Sequence, residues 1–62
     1  MYEIRFIKIY DTVSCHLGSK GMCIGVGIGD NKLEAFIDLL KMCWRYGKMT
    51  KLLRVRKIIG GV

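Results

Sequence analysis

The sequence predicts an α+β domain: a small antiparallel sheet, in the order β-β-β-α-β or β-β-α-β, with one amphipathic helix packed on one face. Three observations carry that expectation. The first 28 residues hold β-branched and aromatic runs broken by a Gly18-Ser19-Lys20-Gly21 turn signal. Asn31 to Tyr46 has helical periodicity between a capping residue and Gly47. Sixty-two residues are enough for one domain only, and a marginal one, since so short a chain buries only about 60% of its unfolded surface.

Tyr2 to Tyr10 reads as a strand with imperfect alternation. Ile4 and Phe6 share one face, whereas Ile7 and Ile9 share the other. Either both faces are covered or a bulge between Phe6 and Ile7 resets the pleat. Asp11-Thr12 turns the chain into a short strand, Val13 to Leu17, and the glycine-flanked turn leads to Met22 to Ile28. There Met22, Ile24, Val26 and Ile28 make an apolar face, and Cys23, Gly25 and Gly27 leave the other nearly bare. A glycine-lined face admits another backbone or a ligand, or belongs to a loosely packed edge.

In the helix, Asn31 and Glu34 have the spacing of a capping box, with Asp30 as a rival cap. Acids come early (Glu34, Asp38) and bases late (Lys41, Arg45), as the helix dipole favours. At about 100° per residue the polar side chains fit an arc of about 80°, and the apolar remainder spans about 220°. Leu33, Phe36, Ile37, Leu40 and Trp44 make the evident core face. Ala35, Leu39, Met42 and Tyr46 form a shoulder that lies under the C-terminal segment or serves as an interface, most simply a homodimer contact through Leu39, Met42 and Tyr46. Leu52 to Ile59 has β character, and 60–62 should fray.

The charge is lopsided. Residues 1–38 carry four basic and five acidic side chains, whereas 39–62 carry seven basic and none acidic. Those seven are Lys41, Arg45, Lys48, Lys51, Arg54, Arg56 and Lys57. Such asymmetry points to an anionic partner or to a basic surface kept for solubility. No run approaches the ~18 apolar residues of a membrane span, and Met1-Tyr2-Glu3-Ile4-Arg5 lacks a signal-peptide plan, so a cytoplasmic location is expected. Three cysteines without CxxC spacing fit the same compartment and read as small hydrophobes.

No enzymatic constellation stands out. His16 is the single histidine, and no acid stands at a telling distance from it and a cysteine. Cys15, His16, Cys23 and Cys43 match no zinc spacing, so neither metal nor cofactor is expected. Gly25-Val26-Gly27-Ile28-Gly29 is GxGxG, not the GxGxxG of a dinucleotide loop, and the GxxG of 18–21 lies between strands, whereas KH loops lie between helices. Tyr10 and Tyr46 are the aromatics best placed for base stacking, Trp44 being on the core face.

The stretch Ile24 to Leu40, IGVGIGDNKLEAFIDLL, resembles the strand–turn–helix signature of HicB-like antitoxin domains and many small phage proteins. Gly29 ends the strand, and Glu34-Ala35 hold the "EA" places on the helix, while Asp30-Asn31 replace the usual Thr. The resemblance covers about a quarter of the chain. It implies a β-β-(β)-α fold and a mobile-element setting, and it carries over no function. From the charge comes the functional expectation: a small non-enzymatic module contacting nucleic acid or a nucleoprotein through its basic half. The alternative is a phage-type inhibitor that docks by protein–protein contact on a host defence or nucleic-acid-processing protein, in anti-restriction or anti-CRISPR style.

Overall fold

The computed structural model describes residues 1–60, so of the tail expected to fray at 60–62 all but Gly60 lies outside the described residues. The elements run β1 (Tyr2–Ile9), β2 (Thr12–Ser19), β3 (Met22–Gly29), α1 (Lys32–Arg45), α2 (Met49–Leu53) and β4 (Val55–Ile59). The α+β class and the helix-on-sheet packing are those the sequence predicts. Two-residue turns join the first three strands. Lys20 and Gly21 both take positive φ (52° and 81°), as a type I′ hairpin requires. The sheet order is β3-β2-β1-β4, with β4 parallel to β1 rather than antiparallel. Because β3 and β1 both oppose β2, the α1–α2 segment carries the chain from one sheet edge to the other, and β4 arrives parallel.

β1 has no bulge between Phe6 and Ile7; its pairing with β2 is continuous from Tyr2 to Ile9. Ile4 and Phe6 point under the helix and are buried, while Ile7 and Ile9 look out from the uncovered face. The sheet's irregularities lie elsewhere: one between Leu17 and Gly18 opposite β3, the other between Tyr2 and Glu3 opposite β4. Leu52 and Leu53, expected in the last strand, instead belong to α2. The Lys48 carbonyl accepts from both Lys51 N and Leu52 N, and the turn so formed buries Leu52.

Pairing places three rows across the covered face: Ile58–Ile4–Leu17–Gly25, Phe6–Cys15–Gly27 and Val13–Gly29. Side chains shrink along the first two rows towards β3, so α1 settles directly on the β3 backbone. A Cβ at Gly27 would lie 2.3 Å from both Ala35 O and Leu39 N, and one at Gly29 would lie 2.5 Å from Ala35 N. The bare strand face therefore receives the helix backbone itself.

That contact rotates α1 away from the expected orientation. Ala35, Leu39 and Cys43 are the fully buried helix residues. Leu33, Ile37 and Trp44, assigned to the core by the sequence, are exposed, Trp44 by 78%. Leu39, assigned to an interface, is wholly enclosed and cannot contact a partner. Met42 is half-buried over Gly25, and of the expected interface only Tyr46 is exposed. The periodicity favoured large side chains for the core; with glycines opposite, a small residue lets the backbones close, and Ala35 takes the contact.

Local chemistry ends α1 as the sequence predicts. Asn31 is the N-cap: its Oδ1 accepts from Glu34 N at 2.9 Å, and its Nδ2 donates to Glu34 Oε2 at 2.9 Å. Gly47 at φ +71° lets Lys48 N donate to Cys43 O at 2.7 Å, closing the last turn.

Two substitution pairs test this packing by urea denaturation. Gly27→Ala drives a methyl into helix backbone and should cost about 1–3 kcal/mol or more. Gly25→Ala meets only the ends of flexible side chains, Met42 Cε and, at 3.4 Å, Leu39 Cδ1, and should cost clearly less. Likewise Leu39→Ala should cost about 2–5 kcal/mol, against ~0.5 kcal/mol or less for Trp44→Ala. Equal costs within either pair would contradict the helix orientation.

Candidate nucleic-acid interface

The fold divides the basic half of the sequence. Lys41 and Arg45 share the polar arc of α1 with Glu34 and Asp38. That arc overhangs β3, because Asp38 Oδ2 accepts from Ile28 N on the outer edge of the strand at 3.0 Å. Lys48 turns to the same strand, its Nζ donating to Ile24 O at 2.8 Å, and is half-buried. These two bonds cap exposed backbone groups of edge strand β3. Lys48 is thereby engaged in the fold, which sets it apart from the other six predicted binding residues.

At the opposite edge, Lys51 on α2, Arg54 in the connecting turn, and Arg56 and Lys57 on β4 are all exposed within seven residues. Val55 pairs with Tyr2 and Lys57 with Glu3, so Arg56 is the extra residue of the irregularity. A bulge of this kind re-aims its side chain. The only ion pair among the described residues is Arg5 with Glu3, at 3.8 Å, the guanidinium exposed and the carboxylate half-buried. Among the described residues none of the four bases at the β4 edge forms an ion pair, and Glu3, directly across from Lys57, is the carboxylate that register places beside them.

The uncovered sheet face continues this edge. Its rows are Lys57–Glu3–Gly18–Cys23, then Ile59–Arg5–His16–Val26, then Ile7–Ser14–Ile28. Arg5, which charge counting by segment did not single out, thus stands one strand in from β4. Only its alternation with Ile4 and Phe6 could have marked it as an outward residue. The same face holds a pocket of about 200 Å³ lined in part by Arg5, His16 and Cys23. Tyr10 and Tyr46 are exposed, and so is Trp44, contrary to its expected burial.

The four sulfur and imidazole groups weighed as metal ligands are separated by the sheet. Cys15 and Cys43 lie in the core, whereas Cys23 is on the open face with its Sγ 3.7 Å from His16 Nδ1. Among the described residues no group of three or more His, Cys, Asp or Glu is arranged to hold a metal ion. Burial pushes the Cys15 thiol up from 9.0 to about 11, with the neighbouring Cys43 adding to the effect, and burial raises the Cys43 thiol too. The glycines that suggested a phosphate loop lie against α1 or, at Gly25, beneath Met42.

Scans against protein-family models, curated proteins and solved structures found no match to this chain. No helix among the described residues is long and apolar enough to cross a membrane.

Native thiol titration should label Cys23 alone; Cys15 and Cys43 should react only after denaturation. A raised folded pKa means that the native state holds its proton where the unfolded chain has lost it. The stability due to Cys15 is therefore complete below pH 9 and should be lost between about 9 and 11, read as a falling urea midpoint. Replacing Cys15 by Ala should flatten that part of the profile.

Proposed function

We propose that this protein is a non-enzymatic binding module whose β4 edge, with Lys51, Arg54, Arg56 and Lys57, contacts the phosphates of a nucleic acid, with Arg5 extending the contact onto the open sheet face. The observation that carries this reading is the set of four exposed bases, confined to one sheet edge, that form no ion pair among the described residues. Such a strip attracts a polyanion without reading its sequence, because phosphate contacts position a protein and base contacts specify. A short basic strand also resists pairing with other edges, so its open backbone is compatible with a solvated surface. Lys41 and Arg45 sit beside acids on the far side of the molecule and contribute mainly to the long-range field.

A second reading has a specific observation in its favour. Leu53 and Ile58 are 80% and 67% exposed among these bases, and apolar side chains beside arginine suit a protein partner. The chain would then be a small inhibitor docking its basic edge on an acidic protein surface. The HicB-like resemblance of Ile24 to Leu40 supports a mobile-element setting for either reading.

The test is fluorescence anisotropy with mixed-sequence DNA and RNA. Four phosphate contacts predict an affinity loss on the order of 100-fold between about 50 and 200 mM salt. Arg54→Glu with Arg56→Glu should weaken binding at least tenfold, and Lys48→Gln should change it little. No binding of either nucleic acid at low salt removes the first reading. Capture of one protein that survives nuclease treatment, and that Ile58→Asp abolishes, establishes the second.

A further inference from the structure

Turning Ala35, Leu39 and Cys43 onto the sheet leaves a second apolar stripe on α1. Leu33, Ile37, Leu40 and Trp44 follow one another at intervals of four, three and four residues. At about 100° per residue they fall within an arc of about 60°, centred some 130° from the buried stripe. Leu33 is 68% exposed, Ile37 40% and Trp44 78%, with Leu40 half-buried between them. This is the a/d spacing of a helix–helix seam; among the described residues only Leu40 of the four packs against the core, and the other three face solvent.

We propose that the seam binds a second copy of this chain through an antiparallel, two-fold symmetric pairing of α1 with α1. The stripe is self-complementary in that direction. A two-fold axis midway between Ile37 and Leu40 sets Leu33 against Trp44 of the partner subunit, and Ile37 against Leu40 of the partner subunit. The flanking charges choose the same direction. Glu34 and Lys41 lie on one flank of the seam, seven residues apart. An antiparallel two-fold pair keeps both charged flanks on one side, so Glu34 of each chain meets Lys41 of the partner subunit, twice over. A parallel two-fold pair sets that flank against the partner's opposite, Phe36-bearing side and leaves both charges without counterparts. The helix dipoles also oppose one another in the antiparallel arrangement.

The size of the stripe sets the strength. At about 150–250 Å² for a large aromatic side chain and somewhat less for an aliphatic one, the exposed parts amount to roughly 400 Å² per chain. Two such stripes bury less than the ~1,200–2,000 Å² of stable interfaces. A contact of that size is a weak one that exchanges with monomer. This contact is independent of the β4 edge and does not rest on nucleic-acid binding.

Sedimentation velocity on the nuclease-treated full chain, from about 1 to 500 μM, tests the proposal. The mass should rise from 7.1 kDa towards twice that value, with blue-shifted Trp44 emission. Ile37→Asp, on an exposed position, should keep the monomer's circular dichroism and abolish the rise. Glu34→Lys or Lys41→Glu alone should raise the dissociation constant about tenfold, since each turns two symmetry-related attractions into repulsions, and the double exchange should restore it. A mass fixed at 7.1 kDa up to 500 μM overturns the proposal, as does a folded Ile37→Asp variant that dimerises like the parent. Dimerisation indifferent to both single charge changes overturns the antiparallel pairing.

Discussion

Everything above the sheet depends on how closely α1 approaches β3. Gly27 and Gly29 present no side chain, and Ala35 answers with a methyl, so two backbones meet where most helix–sheet contacts interpose side chains. Once that distance is set, the rotation of α1 follows. Leu39, its backbone against Gly27, and Cys43 must turn into the core, and Met42 must lie over Gly25. Phe6, Ile4 and Leu17 then fill the widening wedge towards β1. Lys32 closes its upper end with its ammonium 5.0 Å from the Phe6 ring. A helix hugging one edge of a four-stranded sheet leaves the other edge short of cover. Leu52 on α2 supplies part of it, and Ile58 remains largely in solvent.

The crossover has an electrostatic consequence. A run of 24 residues without a single acid reads in sequence as one basic half. In space the α1–α2 segment spends its length travelling across the sheet, so its first bases stand over β3 and its last along β4. The β3 bases are drawn into the fold's own economy of charge: Lys48 satisfies a backbone carbonyl, while Lys41 and Arg45 stand among acids. The β4 group has a single acid, Glu3 across from Lys57, set against four bases, and so keeps most of its field. Edge protection follows the same division, with hydrogen-bonded side chains at β3 and repulsive charge at β4.

Much of the architecture was legible because it rests on local chemistry. Lys20-Gly21 makes its hairpin through positive φ, Asn31 starts the helix with its own side chain, and Gly47 ends it through its backbone freedom. These choices need no knowledge of the partner element. The face of the helix was not legible, because hydrophobic periodicity weights large side chains and Leu33, Ile37 and Trp44 outweigh Ala35. The clue that reverses the weighting is on another strand: Gly25, Gly27 and Gly29 offer a surface that only a close, small-residue contact can use. Candidate binding residues fared likewise. Composition found the bases, but which sheet edge each one reaches, and that Lys48 donates to a backbone carbonyl, depended on the fold.

By itself, then, the sequence determined the α+β class, the hairpins, the limits of the main helix and the existence of more apolar helix surface than one small sheet can cover. Each of these follows from residues within a few positions of one another. Tertiary structure alone decided that β4 enters parallel, that Leu52 leaves the strand for a short helix, and that Ala35, Leu39 and Cys43 face inward. These outcomes are set by the distance between chain segments far apart in sequence, fixed here by glycines that carry no hydrophobic signal of their own. The uncovered flank of α1 was foreseeable. Its identity as the Leu33–Ile37–Leu40–Trp44 seam was not, because it is whatever the closest backbone approach leaves outside.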